Sequence, residues 1–187
     1  IIDRNLYFKQ NKSINQSKLM QELVKKSGLV ILENEMINNL FKFDKINYGQ
    51  KEICLIHLSS KWINKYFSEN QFINLLYKLE GAGKNIVMSS DQSSKNVFNK
   101  IYKKYKKIDN EYFKNLEDIN EILIFEELNF DNWTSIINSS NYVITPECGC
   151  THIASLTNCK LCVIYDADNL PDMIAQEYTP WKKNYTK

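Results

Sequence analysis

The sequence predicts an α/β fold, an open parallel sheet with helices on both faces. Three observations carry that expectation. Short apolar runs recur along the chain: ICLIHL at 53–58, NIVMS at 85–89, EILIF at 121–125, YVIT at 142–145 and KLCVIY at 160–165. Each is too short for a helix, and its apolar character is near-continuous, as in a strand buried on both faces. Segments with helical spacing alternate with these runs over short connections. In such sheets ligands bind beyond the carboxyl ends of the strands. The loops at 59–67, 89–94, 126–130, 146–151 and 166–171 therefore hold the functional information.

The helices follow from their apolar stripes. Residues 13–28 carry Leu19, Met20, Leu23 and Val24 on one face, with Gly28 as a stop. Residues 29–50 form a mixed connector. Ser68–Leu79 places Phe72, Leu75, Leu76 and Leu79 together, with Ser68 as cap and Gly81 and Gly83 beyond the end. Ser93–Lys106 turns Val97, Phe98, Ile101 and Tyr105 inward. Asp131–Ile137 has Phe130 and Trp133 near its start, and Gly149–Leu156 opens the last helix.

Composition narrows the function classes. The 187 residues suit one domain or little more, with 43% hydrophobic and 25% charged residues. A net charge of +2 provides no general field for nucleic acid. The basic stretch KIYKKYKK at 100–107 is expected to be a solvated helix face. No apolar run approaches the roughly 18 residues of a membrane span. The N-terminal stretch is polar after two residues, unlike a signal peptide. The five cysteines are not spaced like a disulfide framework, and Cys54 and Cys162 lie inside apolar runs. A reducing cytoplasm is the expected setting. The chain begins at Ile1 on what resembles the end of a strand, so a piece of a longer polypeptide is expected.

The segment TPECGCTHIASL, 145–156, runs from a strand into a helix. Amides at a helix start lack intrahelical partners, and the helix dipole adds positive potential. Gly149 permits a tight turn and a close approach, and Thr151 adds a hydroxyl. This unit suits a phosphate. A plain strand–helix turn needing one glycine fits the same spacing. Two other chemistries stay open on the residues alone. Cys148, Cys150, His152, Cys159 and Cys162 offer ligands to zinc, although Cys162 sits inside a strand. Cys148 at a helix start can have a lowered pKa and act as a nucleophile. The stretch HLSSKWINKYFSENQF, 57–72, supplies the hydroxyls of Ser59 and Ser60 and the cations Lys61 and Lys65. Trp62 and Phe67 are expected to pack this loop down. SSDQSS at 89–94 offers Asp91 and serines to a ribose.

Together these stretches resemble glycosyltransferase family 9, the ADP-heptose:lipopolysaccharide heptosyltransferases and their relatives. The resemblance covers roughly residues 13–181, most strongly 53–80 and 121–165. The family motif Asp-Thr-Gly-x-x-His-Leu-Ala-Ala reads here Glu147-Cys148-Gly149-Cys150-Thr151-His152-Ile153-Ala154-Ser155. Gly149, His152 and Ala154 match, Glu147 stands for Asp, and Cys148 stands for Thr. A second family stretch has hydroxyls, a lysine, an aromatic, Pro-Glu and another aromatic. It is matched in order by Ser59, Ser60, Lys65, Phe67, Ser68, Glu69 and Phe72, with Ser68 in place of proline. The run ELNFDNWTSIINSSNYVITPE is similar to the family's approach to its motif.

The resemblance implies a GT-B fold, two Rossmann-like domains across a cleft, of which this chain would be the donor-binding half. Residues 1–50 would be the end of the acceptor domain plus linker, and 51–187 the nucleotide-sugar domain. The backbone of Cys148, Gly149 and Cys150 would cradle a diphosphate, with Ser59, Ser60 and Lys65 on phosphate. Glu127 and Leu128 would lie near the adenine and Asp91 near the ribose. Glu147, Thr151 and His152 complete the expected binding set. The donor would be ADP-linked, the acceptor a lipopolysaccharide-type or other glycan. The resemblance implies no metal or cofactor, peripheral membrane association of the full-length protein, and a catalytic base in the other domain. This piece would be inactive alone. A non-catalytic nucleotide-binding domain and a zinc-stabilised interaction module are the competing expectations.

Overall fold

A computed structural model describes residues 22–28, 43–49, 51–108, 121–165, 179–180 and 185–186. The chain divides into two units, Ile1–Lys42 with Tyr165–Trp181, and Phe43–Ile164 with Lys182–Lys187. In the first, residues 22–26 are helical and the turn closes at Gly28 with φ of 77°. The expected helix over 13–21 and the loop 166–171 lie outside the described residues.

The second unit is built on a seven-stranded sheet in which every neighbouring pair is parallel. Its strands are β1 (Ile53–Leu58), β2 (Asn85–Ser90), β3 (Lys106–Ile108), β4 (Leu123–Phe125), β5 (Tyr142–Pro146), β6 (Lys160–Ile164) and β7 (Tyr185–Thr186). The order across the sheet is β3-β4-β2-β1-β5-β6-β7. The chain therefore builds outward from β1 in one direction, then crosses to the other side of β1 at β5. This reversal creates a crevice between the carboxyl ends of β1 and β5, where open α/β sheets bind ligands.

The helices are α1 (Glu69–Gly81), α2 (Asn99–Lys104), α3 (Phe130–Ser139) and α4 (Gly149–Ser155). On one face, Cys54, Ile56 and Leu58 of β1 join Phe72 and Leu76 of α1 and Phe98 and Ile101 beside α2 in one core. On the other, Ile136 and Ile137 of α3 and Ala154 of α4 are buried, and the Trp133 ring lies 5.6 Å from that of His57 in β1. All six residues of β1 are buried, as its uninterrupted apolar run requires.

Local chemistry sets the helix ends. Ser68 caps α1 reciprocally with Gln71: its Oγ accepts the Gln71 N–H at 3.3 Å, and its own N–H donates to Gln71 Oε1 at 2.8 Å. Gly83, at φ of 74°, closes α1 in the left-handed conformation that glycine takes without strain.

Three expectations are corrected. The helix expected at 93–106 is a 3₁₀ turn (Gln92–Ser94), a further turn, and only the short α2. Lys106–Ile108 is then an edge strand rather than the helix end, so KIYKKYKK is only partly a helix face. Exposed lysines on a sheet edge discourage pairing with another chain, and they also mimic a helix surface in sequence. Gly81 is the last residue of α1, not a residue beyond it.

Candidate functional site

The loop after β1 is fixed from below by Trp62. Its side chain is fully buried, and Nε1 donates to the His57 carbonyl at 2.7 Å. The ring stacks on Phe67 at 5.7 Å between centroids and meets Phe72 edge-on at 5.2 Å. This anchor holds a π-helical turn, Trp62–Tyr66, with the Phe67 N–H on the Trp62 carbonyl at 2.7 Å. Lys65 sits on that turn, exposed to solvent. Ser59 is buried, its carbonyl accepting the Trp62 N–H at 3.0 Å, and Ser60 takes the Asn64 N–H at 3.0 Å. Both serines thus shape the turn through their backbones, and the Ser59 hydroxyl adds to it by accepting the Lys61 N–H at 3.4 Å.

Among the described residues, Lys61 is a cation that reaches the crevice. Its Nζ lies 2.7 Å from Glu147 Oε2 and also contacts the Glu147 carbonyl. This pair joins the loop after β1 to the loop after β5, across the reversal of strand order. The sequence placed Lys61 in the loop but singled out Lys65. The pair with Glu147 across the two loops, which distinguishes Lys61, is not readable from residue types.

The loop after β5 is braced from within. The Glu147 N–H donates to the Ile164 carbonyl at 3.0 Å. Thr151 is fully buried, its hydroxyl donating to the Pro146 carbonyl at 3.2 Å and accepting the Cys148 N–H at 3.4 Å. That hydroxyl closes the turn, which corrects the expectation of a hydroxyl presented to a ligand. Cys148 caps α4, its sulfur facing the N–H groups of Cys150 and Thr151. The Thr151 N–H also donates to the Cys148 carbonyl at 3.1 Å; sulfur is a weak acceptor, so a phosphate oxygen would be a better partner for the Cys150 N–H. The Cys150 side chain is itself buried. Gly149 is exposed, lacks a positive φ, and has open space where a Cβ would be. The turn itself therefore does not require glycine, contrary to expectation.

The thiols are not activated. Burial pushes the Cys148 thiol up, against the opposing Thr145 hydrogen bond, the two backbone amides and Lys61. Burial raises Cys150 still further, and Cys159 and Cys162 are also raised by burial. The expectation of a lowered Cys148 pKa is thereby overturned: desolvation outweighs the helix start. All five cysteines are free thiols. Among the described residues, no three His, Cys, Asp or Glu side chains converge as a metal set. His152 lies in the last turn of the short α4, half-buried, its pKa lowered by burial against the pull of Glu147.

Asp91 caps the 3₁₀ turn after β2. Its Oδ1 accepts the Ser94 N–H at 2.8 Å and the Ser93 hydroxyl at 2.7 Å. The Ser94 hydroxyl lies 2.6 Å from the Leu58 carbonyl and 2.5 Å from Asp91 Oδ1, tying the ends of β1 and β2 together. Partial burial raises the Asp91 carboxyl, but these hydrogen bonds and His57 outweigh it and hold it below its ordinary value.

The loop after β4 is drawn toward the same edge. Lys95 pairs with Glu127 at 2.6 Å and Glu126 at 3.6 Å. Glu127 has a left-handed backbone, φ 51°, a conformation that costs a non-glycine residue about 1 kcal/mol or more. Its carboxyl is lowered by the Lys95 hydrogen bond, and Leu128 beside it is half-buried.

His57 is buried near the carboxyl end of β1, beside Ser89. Its Nδ1 lies 3.0 Å from Ser89 Oγ, and burial pushes its pKa down to about 4. Its place inside an apolar run, where histidine reads as filler, hides this contact in the sequence. The Trp133 indole N–H over it is buried with no hydrogen-bond partner among the described residues.

No family model matches the sequence, and no curated protein matches it. Solved structures do. A family 9 glycosyltransferase from Veillonella parvula DSM 2008 is 12% identical with a TM-score of 0.62, covering 94% of this chain. The E. coli heptosyltransferase WaaC with ADP is 10% identical with a TM-score of 0.55, covering 75% of this chain. E. coli ADP-heptose lps heptosyltransferase II is 16% identical with a TM-score of 0.52, covering 84% of this chain. The chain has the fold found in family 9 glycosyltransferases. It spans 49%, 38% and 44% of these three structures, half their length or less. Among the described residues no helix is long and apolar enough to cross a membrane.

Proposed function

We propose that this chain is the donor-binding part of a glycosyltransferase, with the diphosphate of a nucleotide sugar seated between the loops after β1 and β5. The observation that carries this reading is Lys61 held against Glu147 at the reversal of strand order, beside the start of α4. A diphosphate entering there would replace the Glu147 carboxylate as the partner of Lys61. The Cys150 amide, now facing the Cys148 sulfur, would gain a phosphate oxygen instead. Both changes favour negative charge, which grows on the diphosphate as the sugar leaves. Ser59, Ser60 and Lys65 stand at the rim of the same loop. The edge lined by Asp91, Glu127 and Leu128 would take the nucleoside, and ADP in the WaaC structure makes an ADP-linked donor the first to test.

Glu147 and His152 would adjust the charge of the loop, and Gly149 would leave room for the donor. The acceptor, a lipopolysaccharide-type or other glycan, and the base that activates it would come from a second domain. Free thiols support a cytoplasmic setting, and association with a membrane surface would come through the acceptor. Titration with ADP tests the reading: saturable binding lost in Lys61→Ala supports it, and no binding of any nucleoside diphosphate argues against it.

A non-catalytic nucleotide-binding domain has one observation in its favour. Asp91 and Thr151 are engaged in holding turns, which leaves fewer groups for a sugar. Turnover by the protein joined to an acceptor domain would exclude it.

A further inference from the structure

At the opposite end of the sheet, the amino ends of β1, β5 and β6 open into a cavity of about 400 Å³. We propose that this cavity is a second binding site, for a small sugar carrying an acidic group. It is remote from the crevice at the carboxyl ends and does not depend on what binds there.

The cavity has a built frame. One wall is the segment 45–49, and the facing wall is the last turn of α3 and the residues entering β5 and β6. Hydrogen bonds fasten the first wall to α3. The Ile46 N–H donates to Ser139 Oγ at 2.6 Å, and Asn138 Nδ2 donates to the Phe43 carbonyl at 2.9 Å. Gly49 turns the segment back at φ of 64°, a conformation natural to glycine.

The lining determines the ligand class. Lys45, Lys51 and Lys160 contribute three cations. The one carboxylate among the described lining residues, Glu52, is paired with Lys84 at 2.9 Å. Excess positive charge selects an acid. Of the last carbonyls of α3, that of Ile136 accepts the Ser140 hydroxyl at 2.8 Å and that of Ile137 the Ser140 N–H at 3.3 Å, which leaves those of Asn138 and Ser139, both on the lining, for donation from sugar hydroxyls. Asn141 uses its Oδ1 on the Ile53 N–H at 2.9 Å, which leaves its Nδ2 hydrogens for another acceptor. Tyr48, 5% exposed, lines the cavity, and its hydroxyl has no hydrogen-bond partner among the described residues. A buried hydroxyl in that state is costly, and a ligand oxygen drawn beside it by a small adjustment of the 45–49 segment would relieve the cost. The volume falls within the roughly 300–1,000 Å³ typical of small-molecule sites. Such polar walls do not suit an apolar molecule.

The test is a nuclear magnetic resonance titration of the whole chain with glucose 6-phosphate, glucuronate, glucose and inorganic phosphate. At least one of the two acids is expected to shift amides at 45–49, 138–142 and 158–160, saturably and at least tenfold more tightly than glucose or phosphate. Lys160→Ala and Tyr48→Phe should each weaken that binding several-fold, and Lys61→Ala should leave it unchanged. Circular dichroism of each variant confirms that it folds. Shifts confined to 59–61 and 146–151, no shifts with either acid, or equal binding of glucose or phosphate would each overturn the proposal.

Discussion

Lys61 Nζ sits 2.7 Å from Glu147 Oε2, and the two residues belong to loops that leave neighbouring strands in the middle of the sheet. The pair is half-exposed at most, so its own contribution to stability is small, ~1 kcal/mol or less. Its position is what matters: an anion arriving at the crevice meets a lysine already delivered there. Lys61→Ala is therefore expected to weaken ADP binding by roughly ten- to a hundredfold, the worth of a charged hydrogen bond. Lys65→Ala, at an exposed rim position, should have the smaller effect. Calorimetry on both variants checks the ranking, and equal losses would put the two lysines on the same footing.

Trp62 positions that lysine without touching a ligand. Its ring is wholly buried between Phe67 and Phe72, and its N–H holds the His57 carbonyl. Trp62→Ala should cost ~3–5 kcal/mol of stability through the cavity it leaves. Trp62→Phe keeps most of the packing and loses the hydrogen bond, so it should cost less. Urea unfolding of the two variants separates packing from hydrogen bonding.

His57 makes stability depend on pH. Its pKa is about 4 in the fold against 6.5 in an exposed histidine. The unfolded chain therefore binds the extra proton first. The contribution is full above pH 6.5 and is lost as pH falls toward 4. The loss should reach about 2 kcal/mol by pH 5. His57→Gln should flatten the denaturant midpoint between pH 7 and pH 5. An unchanged slope in the variant would assign the pH dependence to other groups. Asp91, held low, adds its own loss only at more acid pH.

Cys148 caps α4 with sulfur, where oxygen is the stronger acceptor. Cys148→Ser should raise stability by ~0.5–1 kcal/mol and preserve ADP binding. Because burial raises its thiol, wild-type Cys148 should alkylate slowly at neutral pH. Rapid labelling of that residue by iodoacetamide would contradict the raised thiol pKa of this half-buried cap.

The sheet was legible in the sequence because buried parallel strands leave uninterrupted apolar runs; Ile53–Leu58 begins and ends where its run does. Ser68 marked its helix start because capping chemistry is local. The misread region was 93–108, where lysines satisfy either a helix face or a charged strand edge, and only the neighbouring β4 decides between them. In the site, Ser59 and Thr151 were named for their hydroxyls, yet burial turns both to holding the turns. Lys61 and His57 depend on contacts between elements far apart in the chain, Glu147 in one case and Ser89 and Trp133 in the other. Such contacts are invisible to spacing along the chain.

The central claim is that the crevice between β1 and β5 holds a nucleoside diphosphate. The most direct measurement is calorimetric titration of the chain with ADP, UDP and GDP, repeated on Lys61→Ala. The account predicts saturable binding, tightest for ADP, that falls at least tenfold in the variant. Binding of none of the three by the folded chain, or binding unaffected by loss of Lys61, would contradict it.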